Sequence, residues 1–346
     1  MHANAAASLQ EFASKWQIPV ATSLMGKGIF PEDNPLSLRM LGMHGTYYAN
    51  KAVNECDLLL AFGVRFSDRV TGDISHFAPN ASIVHVDIDA SEINKNKQAQ
   101  IAVNADVAQL LAMLNREKPE RHGRKAWLAE IEDWKRQHEL QCAASKAFTG
   151  PAAIGAISME TQGNATIVTG VGQHQMWTAQ FYHFRRPRQL LTSGGLGAMG
   201  FGLPAALGAK LARPDDLVLL IDGDGSFQMN IQELATVFAE NVPLKMVLLN
   251  NRRLGMVYQW EELFFDGRHA NTDLSVNGEY YPDFVTIAKG YGIPAVVATD
   301  LKEFHGALRR MLAAKGPYLI DARIIPDEQV LPMIPAGGTC DDIITD

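Results

Sequence analysis

Two oxygen-bearing side chains in the second half of the chain follow apolar runs, at positions where they could bind a metal ion. Asp224 stands between Gly223 and Gly225 in the stretch GDGSFQMN, shortly after the run VLLI, and Asn251 follows the run LKMVLLN. Carboxylate and amide oxygens suit Mg²⁺, which usually completes its octahedron with phosphate oxygens and water. An aspartate between two glycines also suits an ordinary tight turn, so this pattern alone leaves both interpretations open.

The elements around Asp224 and Asn251 favour the metal site. The runs at 216–222 and 244–250 have the length of buried strands, and the segment between them is long enough for a helical crossover. Such a βαβ unit has parallel strands, so both side chains emerge at the carboxyl edge of the sheet, where open α/β sheets bind ligands. We expect the two glycines to let the backbone approach a phosphate, and a helix starting near Gln228 to point its amino terminus at the same anion.

Similar strand signals recur along the chain and alternate with helical stretches. Short runs rich in Val, Ile and Leu are typical of buried parallel strands. They lie at 18–24, 56–64, 81–89, 165–171, 216–222, 244–250, 293–298 and 317–324. A charged helical stretch ends at the Gly-Pro pair at 150–151, which predicts a domain boundary there. The sequence therefore predicts an α/β protein with domains at 1–115 and 151–346, joined by a helical linker at 116–150.

Composition restricts the classes of partner. The 346 residues are 47% hydrophobic and 20% charged, with a formal net charge of −7, which is typical of a globular protein and of neither a disordered nor a membrane chain. The absence of a long Lys/Arg run argues against nucleic acid and favours small-molecule ligands. Cys56, Cys142 and Cys340 are scattered, which suits free thiols, and the N-terminus lacks the apolar core of a signal peptide. We expect a cytoplasmic protein.

Longer motifs resemble one family of thiamine-diphosphate enzymes. A GDG motif followed by a crossover and NN is the signature of enzymes that use this cofactor. The stretches GVGQHQMW (170–177), TSGGLGAMGFGLPAALGA (192–209), NNRRLGMVYQW (250–260) and VLPMIPAGG (330–338) resemble the catalytic subunit of acetohydroxyacid synthase, or acetolactate synthase. In the first half, LGMHGT (41–46), FGVRFSDRVTG (62–72) and VDID (86–89) resemble that family's central FAD-binding domain. The resemblance covers nearly the whole chain and implies two Rossmann-like domains with parallel sheets.

The resemblance implies a thiamine diphosphate site in the second domain. Asp224 and Asn251 would ligate Mg²⁺ through their side chains, and Arg253 would ligate it through its main-chain carbonyl. The positions that match the family's contacts with the cofactor are Gln173, His174, Gly197, Gly223, Gly225, Ser226 and Gly255.

Four apolar side chains match the family's catalytic positions. Met199 stands where the family wedges a bulky side chain under the cofactor. Trp260, four residues after Met256 on a predicted helix, would face the substrate together with Met256 and Val257. By residue type alone, Met199 and Trp260 suit a protein core equally well.

The first domain has no GxGxxG fingerprint, and VDID could be a strand end with turn-forming aspartates. The resemblance implies FAD contacts at Gly42, Met43, His44, Gly63, Arg65, Asp68, Val70, Asp87, Ile88 and Asp106, and at Met176 of the second domain. An arginine suits a diphosphate because its planar fork pairs with two oxygens. Ser67 departs from the pattern, because the family usually has a second aspartate there.

For the assembled enzyme, the resemblance implies decarboxylation of pyruvate and condensation of the two-carbon product with pyruvate or 2-oxobutyrate, in branched-chain amino-acid biosynthesis. The FAD would be structural, because the reaction has no net redox change. By analogy, the enzyme would be a homodimer with a possible regulatory small subunit.

The 346 residues contain no counterpart of the family's pyrimidine-binding domain, which supplies the glutamate that activates the cofactor. We therefore expect a C-terminal part of the enzyme, either a fragment or one half of a split gene, that makes little acetolactate alone. Two other functions stay open. One is a glyoxylate carboligase, which GQHQMW and GMVYQW disfavour; the other is a non-catalytic module that binds the cofactors.

Overall fold

The computed structural model describes residues 1–119, 124–140, 147–275 and 281–345, and it divides into two compact units. The first unit comprises Met1–Leu140, Arg185–Arg188 and Leu331–Asp346, and the second comprises Gln141–Phe184 and Gln189–Val330. The observed division differs from the predicted domains, because the charged helical stretch and the C-terminal tail both group with the first unit. Hydrogen bonds hold the tail there: the Ile334 amide donates to the Met43 carbonyl, and the Asp73 amide donates to the Gly338 carbonyl, both at 2.8 Å.

The described residues of the first unit form five short strands in two parallel sheets, one of order β1-β2 and one of order β3-β4-β5. The strands are β1 Val20–Thr22, β2 Ser37–Met40, β3 Leu58–Phe62, β4 Ser82–Asp87 and β5 Ile101–Asn104. The helices are α1 Ala6–Trp16, α2 Tyr47–Glu55, α3 Asp68–Thr71, α4 Val107–Leu114 and α5 Lys125–Gln137, with 3₁₀ turns at Leu24–Gly26 and Cys340–Asp342. The predicted strands β1, β3 and β4 are confirmed. The sequence analysis missed β2 and β5, because β2 includes an arginine and β5 is largely exposed.

The second unit is built on a six-stranded parallel sheet of order β10-β11-β9-β8-β6-β7. Its strands are β6 Thr166–Thr169, β7 Leu190–Leu191, β8 Val218–Gly223, β9 Lys245–Asn250, β10 Ala295–Ala298 and β11 Tyr318–Arg323. Its helices are α6 Gly150–Glu160, α7 Gln173–Phe181, α8 Gly202–Ala212, α9 Asp224–Gln228, α10 Leu234–Ala239, α11 Gly255–Phe264, α12 Phe284–Gly290 and α13 Leu301–Ala313, with a 3₁₀ turn at Ile231–Glu233. All five predicted strands are present, and only the two-residue β7 was missed.

The predicted βαβ unit is confirmed, because β8 and β9 are neighbouring parallel strands that are buried along their whole length. Its crossover is not one helix that begins near Gln228, as the sequence analysis expected. Helix α9 begins four residues earlier, at Asp224, and ends after little more than one turn. The break comes at Asn230, which leaves helical geometry and donates through Nδ2 to the Gly200 carbonyl at 2.8 Å.

The strand order places a switch point between β6 and β8. The chain moves from β6 to β7 on one side, and the later strands add on the other side of β6. In open α/β sheets, ligands bind in the crevice outside the carboxyl ends of the strands at such a switch point. The segment after β6, which opens α7 at Gln173, and Asp224 after β8 both lie at this position.

The structure also describes two of the three cysteines and the lengths of the helices. Cys56 and Cys340 are free thiols, and Cys142 lies outside the described residues. Within the part of the chain that the structure describes, no helix is both long and apolar enough to cross a membrane.

Candidate functional site

Asp224 is a buried carboxylate at the carboxyl edge of the second unit's sheet. The residue is only 2% exposed. Its Oδ1 accepts a 3.0 Å hydrogen bond from the Gly225 amide, and its Oδ2 accepts one from the Tyr281 hydroxyl. Burial raises the pKa of Asp224 to about 6, and the hydrogen bonds from Tyr281 and Gly225 oppose that shift. A carboxylate removed from water is stabilised by a nearby cation, so these surroundings suit a metal ligand.

Asn251 and Arg253 follow β9, the neighbour of β8. Asn251 is buried; its Oδ1 accepts from the Arg253 amide and its Nδ2 donates to Gln173 Oε1, both at 3.1 Å. The Arg253 guanidinium pairs with Asp327 and lies 3.9 Å from the centre of the Tyr258 ring, so the side chain is engaged within the chain. The described residues hold no group of three His, Cys, Asp or Glu side chains fit for a metal, so a metal here would also need amide and carbonyl oxygens.

His174 lies directly behind the glycines of the GDG turn. A Cβ atom on Gly223 would come within 2.8 Å of His174 Nδ1, which explains why this position is a glycine. His174 Nε2 lies 3.3 Å from Asp222 Oδ1, and both residues are buried. In the described structure, His174 Nε2 and Asp222 Oδ2 lack hydrogen-bond partners. Buried polar atoms without hydrogen-bond partners are rare, so this pair marks the turn as a candidate functional position.

Ser226 and Met199 link the GDG turn to the glycine-rich loop at 192–201, which joins β7 to α8. Ser226 Oγ accepts a 3.1 Å hydrogen bond from the Gly200 amide. The methyl carbon of Met199 lies 3.6 Å from the point where a Cβ on Gly225 would stand. Met199 is half-buried, and Gly197 lies in the exposed part of the loop with φ of 66°. The structure therefore places Met199 next to Gly225, and its contact with the cofactor stays a prediction.

Helix α11 carries the other three predicted catalytic residues. Its exposed face includes apolar residues, and its buried face includes a polar residue. Val257 is 52% exposed and Met256 and Trp260 are half-buried, whereas Gln259 on the same helix is 1% exposed. Trp260 packs edge-on against Phe264, with ring centres 5.3 Å apart. A helix with apolar residues outside and an amide inside is not packed as an ordinary core helix. Contact between these apolar side chains and a substrate stays a prediction.

Three side chains at the site were missed by the sequence analysis, namely Asp222, Gln259 and Tyr281. Only the folded structure identifies them, because each is a polar group that is buried or is hydrogen-bonded to a site residue. Asp222 is the one of the three that the sequence could have indicated, because it is a charged residue at the end of the apolar run before the GDG turn. Gly255 has a packing role, because a Cβ there would collide with the amides of Gln173 and Asn251.

Seven of the predicted FAD contacts lie at or just after the carboxyl ends of strands in the first unit. Gly42, Met43 and His44 follow β2, Gly63 follows β3 with φ of 65°, and Asp106 follows β5. At the end of β4, Asp87 is buried and Ile88 is 71% exposed.

Several of these residues also have local structural roles. Asp106 caps α4 by accepting from the amides of Ala108 and Gln109 at 2.8 and 3.2 Å. The exposed Asp68 pairs with Arg69, and Asp87 accepts from the Asp89 amide. Arg65 is exposed and Val70 is half-buried, while Met176 lies on α7 of the second unit. Binding of FAD at these positions stays a prediction.

Comparisons with known proteins match both units. The family described as "Thiamine pyrophosphate enzyme, central domain" matches residues 1–114, and "Thiamine pyrophosphate enzyme, C-terminal TPP binding domain" matches residues 170–322. The chain is 53% identical, over 98% of its length, to "Acetolactate synthase 1, chloroplastic" of Oryza sativa subsp. japonica and to "Acetolactate synthase 2, chloroplastic" of Zea mays, covering 54% of each. It is 49% identical, over 99% of its length, to "Acetolactate synthase, chloroplastic" of Arabidopsis thaliana, covering 52% of that protein. The chain thus spans about half the length of the curated relatives it matches, and the resemblance inferred from the motifs is confirmed.

Proposed function

The chain belongs to the thiamine pyrophosphate enzyme family, and we propose that its second unit holds thiamine diphosphate and Mg²⁺ for acetolactate synthesis. The observation that carries this proposal is the buried Asp224 carboxylate at the switch point of the sheet, one strand away from the Asn251 amide. Because the chain spans about half of its relatives' length, acetolactate synthesis is proposed for the whole protein to which these units belong.

The residues present fit the cofactor. Asp224 and Asn251 would hold Mg²⁺ by their side chains and Arg253 by its carbonyl, as hard oxygen ligands do. The His174 ring and the backbone at Gly225 and Ser226 would hold the diphosphate. When bound, thiamine diphosphate supplies the nucleophilic carbon and the electron sink for decarboxylation of a 2-oxo acid.

The apolar side chains beside this site would contact the cofactor and the substrates. Met199, next to Gly225, would support the cofactor from below. Met256, Val257 and Trp260 would present an apolar surface to pyruvate or 2-oxobutyrate and would exclude water from the reacting atoms.

Further parts of the proposal rest on the resemblance. The first unit would bind a structural FAD at the strand-end residues described above. A homodimer, a pyrimidine-binding domain and a regulatory small subunit are proposed by analogy with the family. A cytoplasmic location is proposed from composition, whereas the names of the plant relatives describe those proteins as chloroplastic.

Replacement of Asp224 tests the metal site. Asp224→Ala removes the only carboxylate among the three proposed metal ligands, so we expect calorimetric titration with thiamine diphosphate in Mg²⁺ buffer to detect no binding. Asp215→Ala, which changes an exposed aspartate of the same unit, is the matched control and should bind as the unaltered chain does. Equal affinity in Asp224→Ala and the control would remove Asp224 from the site.

A further inference from the structure

Three buried amide side chains connect the end of the second unit to the proposed metal site. Gln259 Oε1 accepts from the Val330 amide at 2.8 Å, and Gln259 Nε2 donates to the Val330 carbonyl at 3.2 Å. Gln173 Nε2 donates to Gln259 Oε1 at 3.1 Å and to the Glu328 carbonyl at 2.9 Å. Asn251 Nδ2 donates to Gln173 Oε1 at 3.1 Å. All three amides are buried.

The backbone groups determine which atom of each amide faces which neighbour. A backbone N–H can only donate and a backbone carbonyl can only accept, so Val330 fixes both ends of the Gln259 amide. Besides the Val330 amide, Gln259 Oε1 can accept one more hydrogen bond, and the Glu328 carbonyl can also only accept. The Gln173 amide therefore turns its donor, Nε2, toward both oxygens. This orientation leaves Gln173 Oε1 facing Asn251, so Asn251 must present Nδ2 to Gln173 and direct Oδ1 to the opposite side.

The direction of Oδ1 matters because only that atom of Asn251 can ligate a metal. An amide nitrogen has no lone pair to offer, so a reversed Asn251 would present two N–H donors where a cation needs an acceptor. The amide of Gln173 is already committed, since its Nε2 serves two acceptors and its Oε1 serves Asn251. Within this network, the orientation of the Gln173 amide therefore determines the orientation of the Asn251 amide.

We propose that Gln259 is a positioning residue for the metal site and that it orients Asn251 through Gln173. This inference rests on the proposed function, because it requires Asn251 to be a metal ligand. The Arg253 amide and the Glu328 carbonyl also restrain the chain of amides. Loss of Gln259 therefore weakens metal binding in a graded way and does not abolish it.

The test is a double-mutant cycle on metal affinity. Mn²⁺ replaces Mg²⁺, and electron paramagnetic resonance of free Mn²⁺ gives the dissociation constant at saturating thiamine diphosphate. Methionine has the length of glutamine without its polar atoms, so Gln259→Met and Gln173→Met each remove one member of the network. We expect about a threefold to tenfold weaker Mn²⁺ affinity for each, the worth of one net hydrogen bond.

The coupling between the two positions is the decisive result. If Gln259 acts through Gln173, the double variant binds Mn²⁺ no more than about twofold more weakly than Gln173→Met alone, because neighbours in one network are not additive. Fully additive losses would overturn the relay. Gln259→Glu is the conservative variant: in its protonated form the carboxyl has an acceptor for the Val330 amide and a donor for the Val330 carbonyl, and it should restore the affinity.

A matched control separates orientation from loss of stability. Gln189 is another buried glutamine of the second unit, and its Nε2 donates to the carbonyls of Gly163 and Ala165. Gln189→Met should lower the melting temperature while Mn²⁺ affinity stays within about twofold. An equal loss of affinity in this control would show that Gln259 acts only through stability and would overturn the proposal. If Gln259→Met does not fold, Gln259→Leu takes its place in the cycle, with Gln189→Leu as its control.

Failure of this inference can be distinguished from failure of the proposed function. If Asp224→Ala leaves Mn²⁺ affinity unchanged, the metal site itself is wrong. If Asp224→Ala abolishes Mn²⁺ binding and Gln259→Met has no effect, the metal site stands and the relay is wrong.

Discussion

Asp224 in the second unit and Asp106 in the first both follow a parallel strand and both stand at the start of a helix, yet their surroundings differ. Asp224 is buried and bonded to Tyr281, which lies far away in sequence. Asp106 is half-buried, and its carboxylate accepts hydrogen bonds from two amides of the next turn. The helix cap accounts for Asp106 without any ligand, whereas local structure does not require the burial of Asp224.

This contrast extends to the two candidate sites. In the second unit, site residues such as His174 and Asn251 are buried polar groups, so their positions point to function even without a family. In the first unit, residues such as Asp68 and Arg65 are exposed, and their proposed roles come from the motif alone. Substitutions in the second site should therefore affect both stability and binding, whereas most in the first should affect binding only.

Lys27 and Glu32 are buried polar residues of the first unit that form an ion pair there. Burial lowers the pKa of Lys27, and the Glu32 carboxylate opposes that shift. Lys27→Met should break this buried ion pair and should reduce the free energy of unfolding of the first unit by about 3–5 kcal/mol, the usual cost of removing one member of such a pair. Urea unfolding followed by hydrogen exchange and mass spectrometry reports the two units separately, and the second unit should be unchanged.

Two further variants control the Lys27 prediction. Lys51 pairs with Glu55 on the surface of α2, so Lys51→Met should cost less than about 1 kcal/mol. Replacing both members of the buried pair, as in Lys27→Met with Glu32→Leu, should recover most of the stability because both buried charges of the pair are then removed. If Lys27→Met costs no more than Lys51→Met, the first unit does not depend on its buried charges.

The strands of the second unit were predictable because β8 and β9 are continuous apolar runs, which central parallel strands require. The short edge strands β5 and β7 lack that signal and were missed. The crossover after Asp224 was predicted as one helix, since its composition is helical throughout. Its break depends on the contact between Asn230 and Gly200, which no local pattern in the sequence reveals.

The candidate site was predictable where the motif itself contains the residue, as for Asp224 and Asn251. Gln259 was not identified, because in the sequence it is one polar residue on a predicted helix, and nothing in the pattern shows that its side chain is buried. Its role depends on the backbone of Val330, which comes close only in the folded chain. Tyr281 was missed for the same reason, since its hydroxyl meets Asp224 across a long separation in sequence.

Trp260 tests the contrast between buried and exposed site residues within the second unit, because it lies on the partly exposed face of α11. Because Trp260 is half-buried on α11, Trp260→Leu should alter substrate choice more than stability. In an active assembly given both 2-oxo acids, we expect the preference for 2-oxobutyrate over pyruvate to fall by about 1–3 kcal/mol, the worth of one methylene contact. The ratio of the two products measures the change. Phe265→Leu, at the exposed end of the same helix, is the control, and equal ratios in both variants would assign Trp260 to packing.

Asp106 gives the smallest expected effect and tests whether a residue with a local role also binds a ligand. Asp106→Ala removes the cap of α4 and should reduce the free energy of unfolding of the first unit by about 1 kcal/mol, whereas Asp106→Asn keeps an acceptor for the Ala108 and Gln109 amides and should keep the stability. Urea unfolding measures this difference. The proposed FAD contact requires the carboxylate, so flavin affinity, followed by fluorescence quenching, should fall in both variants. Unchanged flavin affinity in Asp106→Asn would reduce Asp106 to a helix cap, and the proposed flavin site would then depend on the residues that follow β2, β3 and β4.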